Sequence, residues 1–250
     1  MRSNSLTPQQ IQNETENIEK RIVYSTESYP FNSLSLRDFE VLMYHIFDDW
    51  ARNKPKDGDL FFDNAYLMPE GPDEGRDIIL CKSGKDIGVI QCKRTQQNIN
   101  QPQFTREIIK FALHLMMDDE LDTSPEKFLY VMAVSKGVTK TALKVLRGWD
   151  SPYDAKPYLK DATESVIKKY KRFGHLVFEN IEPRLTEIVE SLEVEVLLPQ
   201  DIEKHLKDAP NVAKRFFQVT LVTDNTLLDK IIKKYLKPIL EKVEEAKDRR

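Results

Sequence analysis

The chain has 250 residues, 40% of them hydrophobic and 32% charged, which allows one large domain with a buried core. Aromatic residues make up 9% of the sequence, and this content excludes a chain that is disordered as a whole. The formal net charge of -3 excludes a strongly basic protein, although it is compatible with a local basic face for a nucleic acid.

The sequence also bears on the compartment in which the protein works. Its N-terminus lacks the charged-then-apolar pattern of a signal peptide, and no apolar run approaches the roughly 20 residues of a membrane span. Two cysteines, Cys81 and Cys92, give neither a disulfide framework nor a zinc-finger spacing. Each lies in an apolar stretch, so we expect two buried free thiols. These features predict a cytoplasmic protein without a membrane partner.

The first elements lie between a polar arm and a hairpin. Residues 1–33 are polar, and we expect a loose or peripheral arm there. Ser35 is the expected N-cap of a helix over about 36–52, in which apolar residues recur at helical spacing: Leu36, Phe39, Met43, Phe47 and Trp50. A short strand is predicted at 60–62, within a stretch rich in Gly and Pro. Two further strands, at 77–81 and 88–92, form a predicted hairpin with its turn at 83–86.

The middle of the chain returns to alternating helix and strand. Apolar residues at helical spacing predict an amphipathic helix over about 102–118. The continuous apolar run at 128–134 is typical of a central strand covered on both faces, and a helix is expected near 139–149. The core order is therefore helix, three strands, helix, strand and helix, which indicates an α/β fold.

The second half carries weaker patterns. We expect helices near 161–171, 183–191 and 201–207, and a strand at 194–198. A last amphipathic segment runs from about 225 to 247. The predicted organisation is a polar arm at 1–33, a core at 34–150, a C-terminal part of the same domain at 151–223, and a helix at 224–250. That helix serves in packing, in self-association or as a linker, and the sequence leaves these alternatives open.

Side chains that can do chemistry meet at the open end of the predicted hairpin. Asp77 begins one strand, and Gln91 and Lys93 end its partner, so the three lie side by side. Gln91 and Lys93 share a face because alternate side chains of a strand point the same way. A carboxylate, an amide oxygen and the main-chain carbonyl of Cys92 make a hard-oxygen site, which suits Mg²⁺ or Mn²⁺ better than Zn²⁺. Lys93 is then placed to stabilise a phosphorane oxyanion or to assist the attacking water.

Three motifs in order strengthen this interpretation. They are Phe39-Glu40 in the first helix, Asp73-Glu74-Gly75-Arg76-Asp77 before the first hairpin strand, and Gln91-Cys92-Lys93 followed by Arg94. Together they resemble the Mrr-type restriction endonuclease branch of the PD-(D/E)xK nuclease superfamily, over about residues 34–148. Two features depart from the family pattern: Glu74 stands where a second glycine is usual, and a long charged segment separates the first helix from Asp77. Because of these two departures, the resemblance does not determine the shape of the substrate cleft.

The resemblance implies a fold and an activity. The expected fold is a restriction-endonuclease-like αβββαβ core, a mixed central sheet flanked by helices, with a mostly helical C-terminal extension. The expected activity is Mg²⁺-dependent (or Mn²⁺-dependent) cleavage of DNA by an endodeoxyribonuclease in restriction or anti-phage defence. Glu40, Asp77, Gln91 and the Cys92 carbonyl would hold the metal, and Lys93 would act in catalysis. Asp73 and Glu74 are weaker candidates for metal or water ligands.

The partners follow from the same resemblance and from the charge pattern. The expected phosphate contacts are basic residues that follow strands on the catalytic side: Arg94, Arg106, Lys136 and Lys140. Many nucleases of this superfamily act as homodimers, and the stretch from 194 to 217 looks similar to nuclease domains that precede NTPase modules. Two alternatives stay open: a catalytically silent DNA-binding or assembly module of the same fold, and an RNA or DNA-repair nuclease.

Overall fold

Helices and strands alternate along most of the chain, as a computed structural model shows for residues 4–25, 27–53, 62–71, 75–117, 127–147 and 152–220. In these ranges the α-helices are α1 (Pro8–Glu16), α2 (Leu36–Asn53), α3 (Gln101–Met117), α4 (Lys140–Arg147), α5 (Pro152–Lys169), α6 (Phe178–Ser191), α7 (Pro199–Asp208) and α8 (Pro210–Phe216). The strands are β1 (Arg21–Tyr24), β2 (Asn64–Leu67), β3 (Ile78–Lys82), β4 (Lys85–Lys93), β5 (Phe128–Val134), β6 (Leu192–Leu197) and β7 (Phe217–Thr220).

A five-stranded mixed sheet organises the described part of the chain. Its strand order is β2-β3-β4-β5-β6, in which β2, β3 and β4 are antiparallel neighbours. β5 and β6 run parallel to β4. Buried residues of α2, α7 and α8 pack on one face of the sheet, and those of α3, α4, α5 and α6 pack on the other. The expectation of an α/β fold with a mixed sheet flanked by helices is therefore confirmed.

The hairpin that carries the candidate site forms for a local reason. Ser83 and Gly84, the two residues between β3 and β4, have φ values of 51° and 82°. Positive φ at both positions is the requirement of a type I′ turn, whose twist matches that of the flanking strands. The predicted turn at 83–86 is wrong in its length, because Lys85 and Asp86 pair with Lys82 and Cys81 as part of β4.

The central strand β5 also follows from its sequence. All seven of its residues are buried, because helices cover the sheet on both faces. Parallel pairing on both sides places the C-terminal ends of β4, β5 and β6 at one edge of the sheet. The loops that follow β4 and β5 meet there, where the Ser135 amide donates to the Lys93 carbonyl at 3.1 Å. This edge positions the candidate site.

The N-terminal arm is more ordered than the sequence indicated. Thr7 and Gln10 form a capping box at the start of α1, and the Ile11 side chain of this helix is buried. β1 pairs in parallel with β7, with Arg21 aligned to Phe217. The described residues of the arm are therefore ordered rather than loose, because Arg37 of α2 is bonded to Glu14 of α1 and β1 pairs with the distant β7.

Other elements differ from their predicted bounds. The predicted strand at 60–62 falls mostly outside the described residues, and the strand of this region is β2, which begins at Asn64. α5 and α6 begin earlier than the helices predicted near 161–171 and 183–191, while α8 and β7 were not predicted. The predicted segment at 224–250 lies outside the described residues. Within the described ranges, no helix has both the length and the apolar character needed to cross a membrane.

Candidate active site

A cleft of about 550 Å³ opens at the edge of the sheet where β3 begins and β4 ends. Glu40 of α2, Asp77 before β3, and Gln91 and Lys93 of β4 all line this cleft. The other residues along its walls are Asn4, Leu36, Met68, Pro69, Glu70, Gly71, Arg76, Cys92 and Arg94. The structure thus brings together four side chains that the sequence singled out, from three separate segments of the chain.

Asp77 is fixed by hydrogen bonds across the hairpin. Its Oδ2 accepts one from Gln91 Nε2 at 2.7 Å and a second from the Cys92 amide at 2.6 Å. The Asp77 amide itself donates to the Ile90 carbonyl at 3.0 Å, which extends the pairing of β3 with β4. The carboxylate therefore lies against the end of β4, as the hairpin predicted.

The Gln91 side chain is oriented but incompletely satisfied. It is buried, and its Oε1 has no hydrogen-bond partner while Nε2 is bonded to Asp77. A half-turn of the terminal amide exchanges the oxygen and nitrogen positions. That turn places Oε1 beside Asp77 Oδ2, two oxygens that repel unless a cation lies between them. The pair fits a shared cation in this second orientation.

Gly75 lets the preceding loop approach the sheet closely. Its φ is +79°, in the left-handed region that favours glycine. A Cβ at this position meets Phe111 Cβ at 3.3 Å and Gln91 Oε1 at 3.5 Å. The glycine of the Gly-rich motif therefore serves close packing beside Gln91. Asp73 and Glu74 of the same motif lie outside the described residues.

The Cys92 main chain faces the cleft. The N–H and C=O groups of one strand residue point to the same side, and the Cys92 N–H points at Asp77. Its carbonyl consequently points toward the cleft, as the predicted ligand set requires. Burial raises the pKa of the Cys92 thiol well above its usual range, and the carboxylates of Asp77 and Glu40 raise it further. The thiol is buried and free, as predicted, and both carboxylates lie near it.

Glu40 is paired within its own helix. Its Oε2 accepts a hydrogen bond from Arg37 Nη1 at 2.7 Å. Arg37 also donates to Glu14 Oε2 of α1 at 2.7 Å and to the Met68 carbonyl at 3.0 Å. Burial lowers the pKa of Arg37, but its bonds to the two glutamates outweigh burial and hold the pKa above its usual value. The Glu40 carboxylate therefore forms an ion pair with a guanidinium whose position is fixed by two further bonds.

Lys93 is paired with a residue that none of the three sequence motifs contains. Its Nζ lies 2.8 Å from Oε2 of Glu107 on α3. The same oxygen lies 3.5 Å from Nζ of Lys110, one turn further along α3. The sequence held one signal of this cluster, because Lys110 falls within the apolar stripe of an amphipathic helix.

The four predicted phosphate contacts divide into two groups. Arg94 lines the cleft, where its Nε donates to the Leu34 carbonyl at 2.9 Å. Arg106, Lys136 and Lys140 are not among the residues that line it. Lys136 and Lys140 are exposed and follow β5, at the sheet edge where the loops after β4 and β5 meet. Arg76 lines the cleft and was not predicted as a phosphate contact.

The donor set of the cleft suits a hard cation. Among the described residues, no group of three His, Cys, Asp or Glu side chains is arranged to hold a metal ion. The set offered here is two carboxylates, one amide and one main-chain carbonyl, which are oxygen donors of the kind that Mg²⁺ and Mn²⁺ prefer. Ligands at about 2.1 Å in octahedral geometry lie roughly 3 Å apart, close to the Gln91–Asp77 distance of 2.7 Å.

Among the described residues, the charges along the cleft walls are balanced: three acids (Glu40, Glu70, Asp77) and three bases (Arg76, Lys93, Arg94) line it. A divalent cation held between acids makes such a cleft positive, and a positive cleft attracts a phosphate. Comparisons with known protein families, with curated proteins and with solved structures found no match to this chain.

Proposed function

We propose that the protein is a metal-dependent endodeoxyribonuclease with a restriction-endonuclease-like fold of the Mrr type, acting in restriction or anti-phage defence. One observation carries the proposal: Glu40, Asp77, Gln91 and Lys93 line a single cleft although they come from separate elements. An acidic residue in a loop is common, and so is a strand that ends in Gln-x-Lys. It is much less common for both to lie in one cleft together with a glutamate from a helix.

The side chains take separate roles in this proposal. Asp77, Gln91, Glu40 and the Cys92 carbonyl hold the cation, which when bound polarises the phosphodiester and lowers the pKa of a bound water. The Asp77 carboxylate is positioned by the Cys92 amide, whereas the Gln91 amide makes a half-turn and gives up its bond to Asp77 before both side chains offer oxygen to the cation. The Lys93 ammonium donates to the phosphate oxygen on which negative charge develops.

DNA is the substrate that the motif resemblance favours. Arg76 and Arg94 lie on the cleft walls, where they can contact DNA phosphates. Lys136 and Lys140 extend the basic surface beyond the cleft at the same sheet edge. A homodimer or an associated NTPase sensor module remains a proposal from sequence alone.

The test is cleavage of supercoiled plasmid with Mg²⁺, with Mn²⁺ or with EDTA. Wild type is compared with Lys93→Ala and with Lys207→Ala, a matched control on an exposed face of α7 outside the cleft. We expect metal-dependent nicking or linearisation by wild type and by the control, and a loss of about 100-fold or more in Lys93→Ala. Incubation of a labelled single-stranded RNA under the same conditions tests whether the protein cuts RNA.

The outcomes separate the candidates. Cleavage by Lys93→Ala at the wild-type rate places the activity elsewhere, and cleavage of RNA alone makes the protein a ribonuclease. If wild type binds DNA but cuts nothing under any metal, the silent binding module is the better description. One observation favours that alternative: the Glu40 carboxylate is engaged by an ion pair with Arg37.

A further inference from the structure

The α3 helix presents a charged pair to the end of β4 within a largely apolar face. Glu107 is partly buried, with 24% of its side chain exposed, and Lys110 is almost fully buried at 1%. Their neighbours Phe104, Ile108 and Phe111 belong to the core between α3 and the sheet. Charged groups in such surroundings are retained where they are paired or where they are used.

Glu107 joins this helix to the cleft through Lys93. Its Oε2 lies 2.8 Å from Lys93 Nζ, and Lys93 is itself only 18% exposed. Glu107 Oε2 has no hydrogen-bond partner, so its short contact with Lys93 Nζ is an ion pair without hydrogen-bond geometry. Lys110 Nζ lies 3.5 Å from the same oxygen and 5.5 Å from the centre of the Tyr170 ring. Lys110 thus helps to fix Glu107 from within the core.

The pairing restricts where the Lys93 ammonium can lie. A lysine side chain has four rotatable bonds, and an ammonium on a flexible stem samples many positions in an open cleft. An ammonium has three donors, so Lys93 can stay beside Glu107 and still present a proton to a phosphate oxygen. A shift of about 1 Å in a catalytic group can cost on the order of 100-fold in rate.

We propose that Glu107 is a positioning residue of the candidate nuclease site, which holds the Lys93 ammonium at the cleft against the phosphate to be cut. This inference rests on the proposed function and adds a residue to it that no motif contains. Glu107 acts through Lys93: it comes from α3 and is not among the residues that line the cleft. The pair assigns Lys93 the part of a fixed positive charge.

The test replaces the carboxylate while keeping the size of the side chain. Glu107→Gln is compared with Glu107→Asp, which keeps the charge at a shorter reach, and with Glu179→Gln. Glu179 is a matched control, because its Oε1 lies 2.9 Å from Lys160 Nζ in an exposed ion pair that is not part of the cleft. For each full-length variant, thermal unfolding is followed by circular dichroism, and kcat and KM are measured for plasmid cleavage with Mg²⁺. Nitrogen-15 spectra of the lysine ammonium groups, assigned with Lys93→Arg, report the environment of Lys93 without any need for activity.

We expect Glu107→Gln to lower kcat about 10- to 100-fold with KM within about threefold of wild type. Glu107→Asp should recover part of the loss, and the Lys93 ammonium signal should shift or broaden in Glu107→Gln alone. A kcat within about twofold of wild type in folded Glu107→Gln overturns the inference. If wild type cuts no DNA, the proposed function fails and the catalytic part of the inference is overturned with it. The ammonium signal then tests the pairing by itself: an unchanged signal in Glu107→Gln refutes it, and a shifted one shows that Glu107 holds Lys93 at the cleft.

Discussion

Asp77 should contribute to folding as well as to chemistry, and the two effects can be separated. Its Oδ2 accepts hydrogen bonds from the buried Gln91 side chain and the buried Cys92 amide, at 2.7 and 2.6 Å. A hydrogen bond to a charged group contributes about 1.5–3 kcal/mol, and a donor left buried without a partner costs about 1–3 kcal/mol. Because the cleft is open, water can replace part of the lost acceptor. We therefore expect Asp77→Ala to lower the free energy of unfolding by about 2–3 kcal/mol.

The isosteric variant Asp77→Asn should behave differently. Its amide oxygen can occupy the position of Oδ2 and keep both hydrogen bonds, so that only the charge is lost. We expect a cost of about 1 kcal/mol in stability, together with a loss of cleavage as complete as in Asp77→Ala. Mg²⁺ should also stabilise wild type alone: at 10 mM metal and a Kd of about 1 mM, the gain is about 1.4 kcal/mol.

Urea denaturation followed by circular dichroism, with and without Mg²⁺, measures these differences, and plasmid cleavage below the unfolding midpoint measures activity. Asp201→Ala is the matched control, since Asp201 Oδ2 accepts a backbone hydrogen bond from Leu198 at 2.9 Å outside the cleft. It should lose stability and keep cleavage. Cleavage by Asp77→Asn at the wild-type rate refutes Asp77 as a metal ligand. Unchanged stability in Asp77→Ala refutes the structural role of its hydrogen bonds.

Two further predictions concern stability. Burial, reinforced by two nearby arginines, lowers the pKa of His45 to about 4 from its ordinary 6.5. The unfolded chain then binds more protons than the folded one between pH 6.5 and 4, so the free energy of unfolding should fall by on the order of 3 kcal/mol as the pH is lowered through that window. In His45→Gln the fall should be smaller. Urea titrations of both proteins at several pH values measure it, and equal pH dependence contradicts the prediction. Gly75→Ala should lower the free energy of unfolding by about 1–2 kcal/mol, and by more than Gly84→Ala, because both glycines have positive φ but only Gly75 packs against Phe111. Thermal unfolding of both variants compares them. Equal losses of stability would show that the contact with Phe111 does not matter.

Local patterns in the sequence determined much of the fold and predicted that Asp77, Gln91 and Lys93 lie together at one end of a hairpin. The apolar spacing predicted α2, and the uninterrupted apolar run of β5 predicted a strand covered on both faces. The hairpin of β3 and β4 followed from turn residues, and alternation along β4 predicted that Gln91 and Lys93 share a face. These predictions succeeded because each depends on residues close together in the chain, whose backbone geometry is set locally.

Contacts between distant segments could not be predicted in this way. The pairing of β1 with β7 orders the N-terminal arm, yet neither strand has an alternating apolar pattern long enough to be recognised. Arg37 links Glu40 to Glu14 of another helix, and Glu107 reaches Lys93 from across the sheet face. An ion pair between segments leaves no periodic signal, because it depends on where two charged groups come to lie after the layers have packed. The tertiary structure alone therefore decided which charges surround the candidate catalytic side chains.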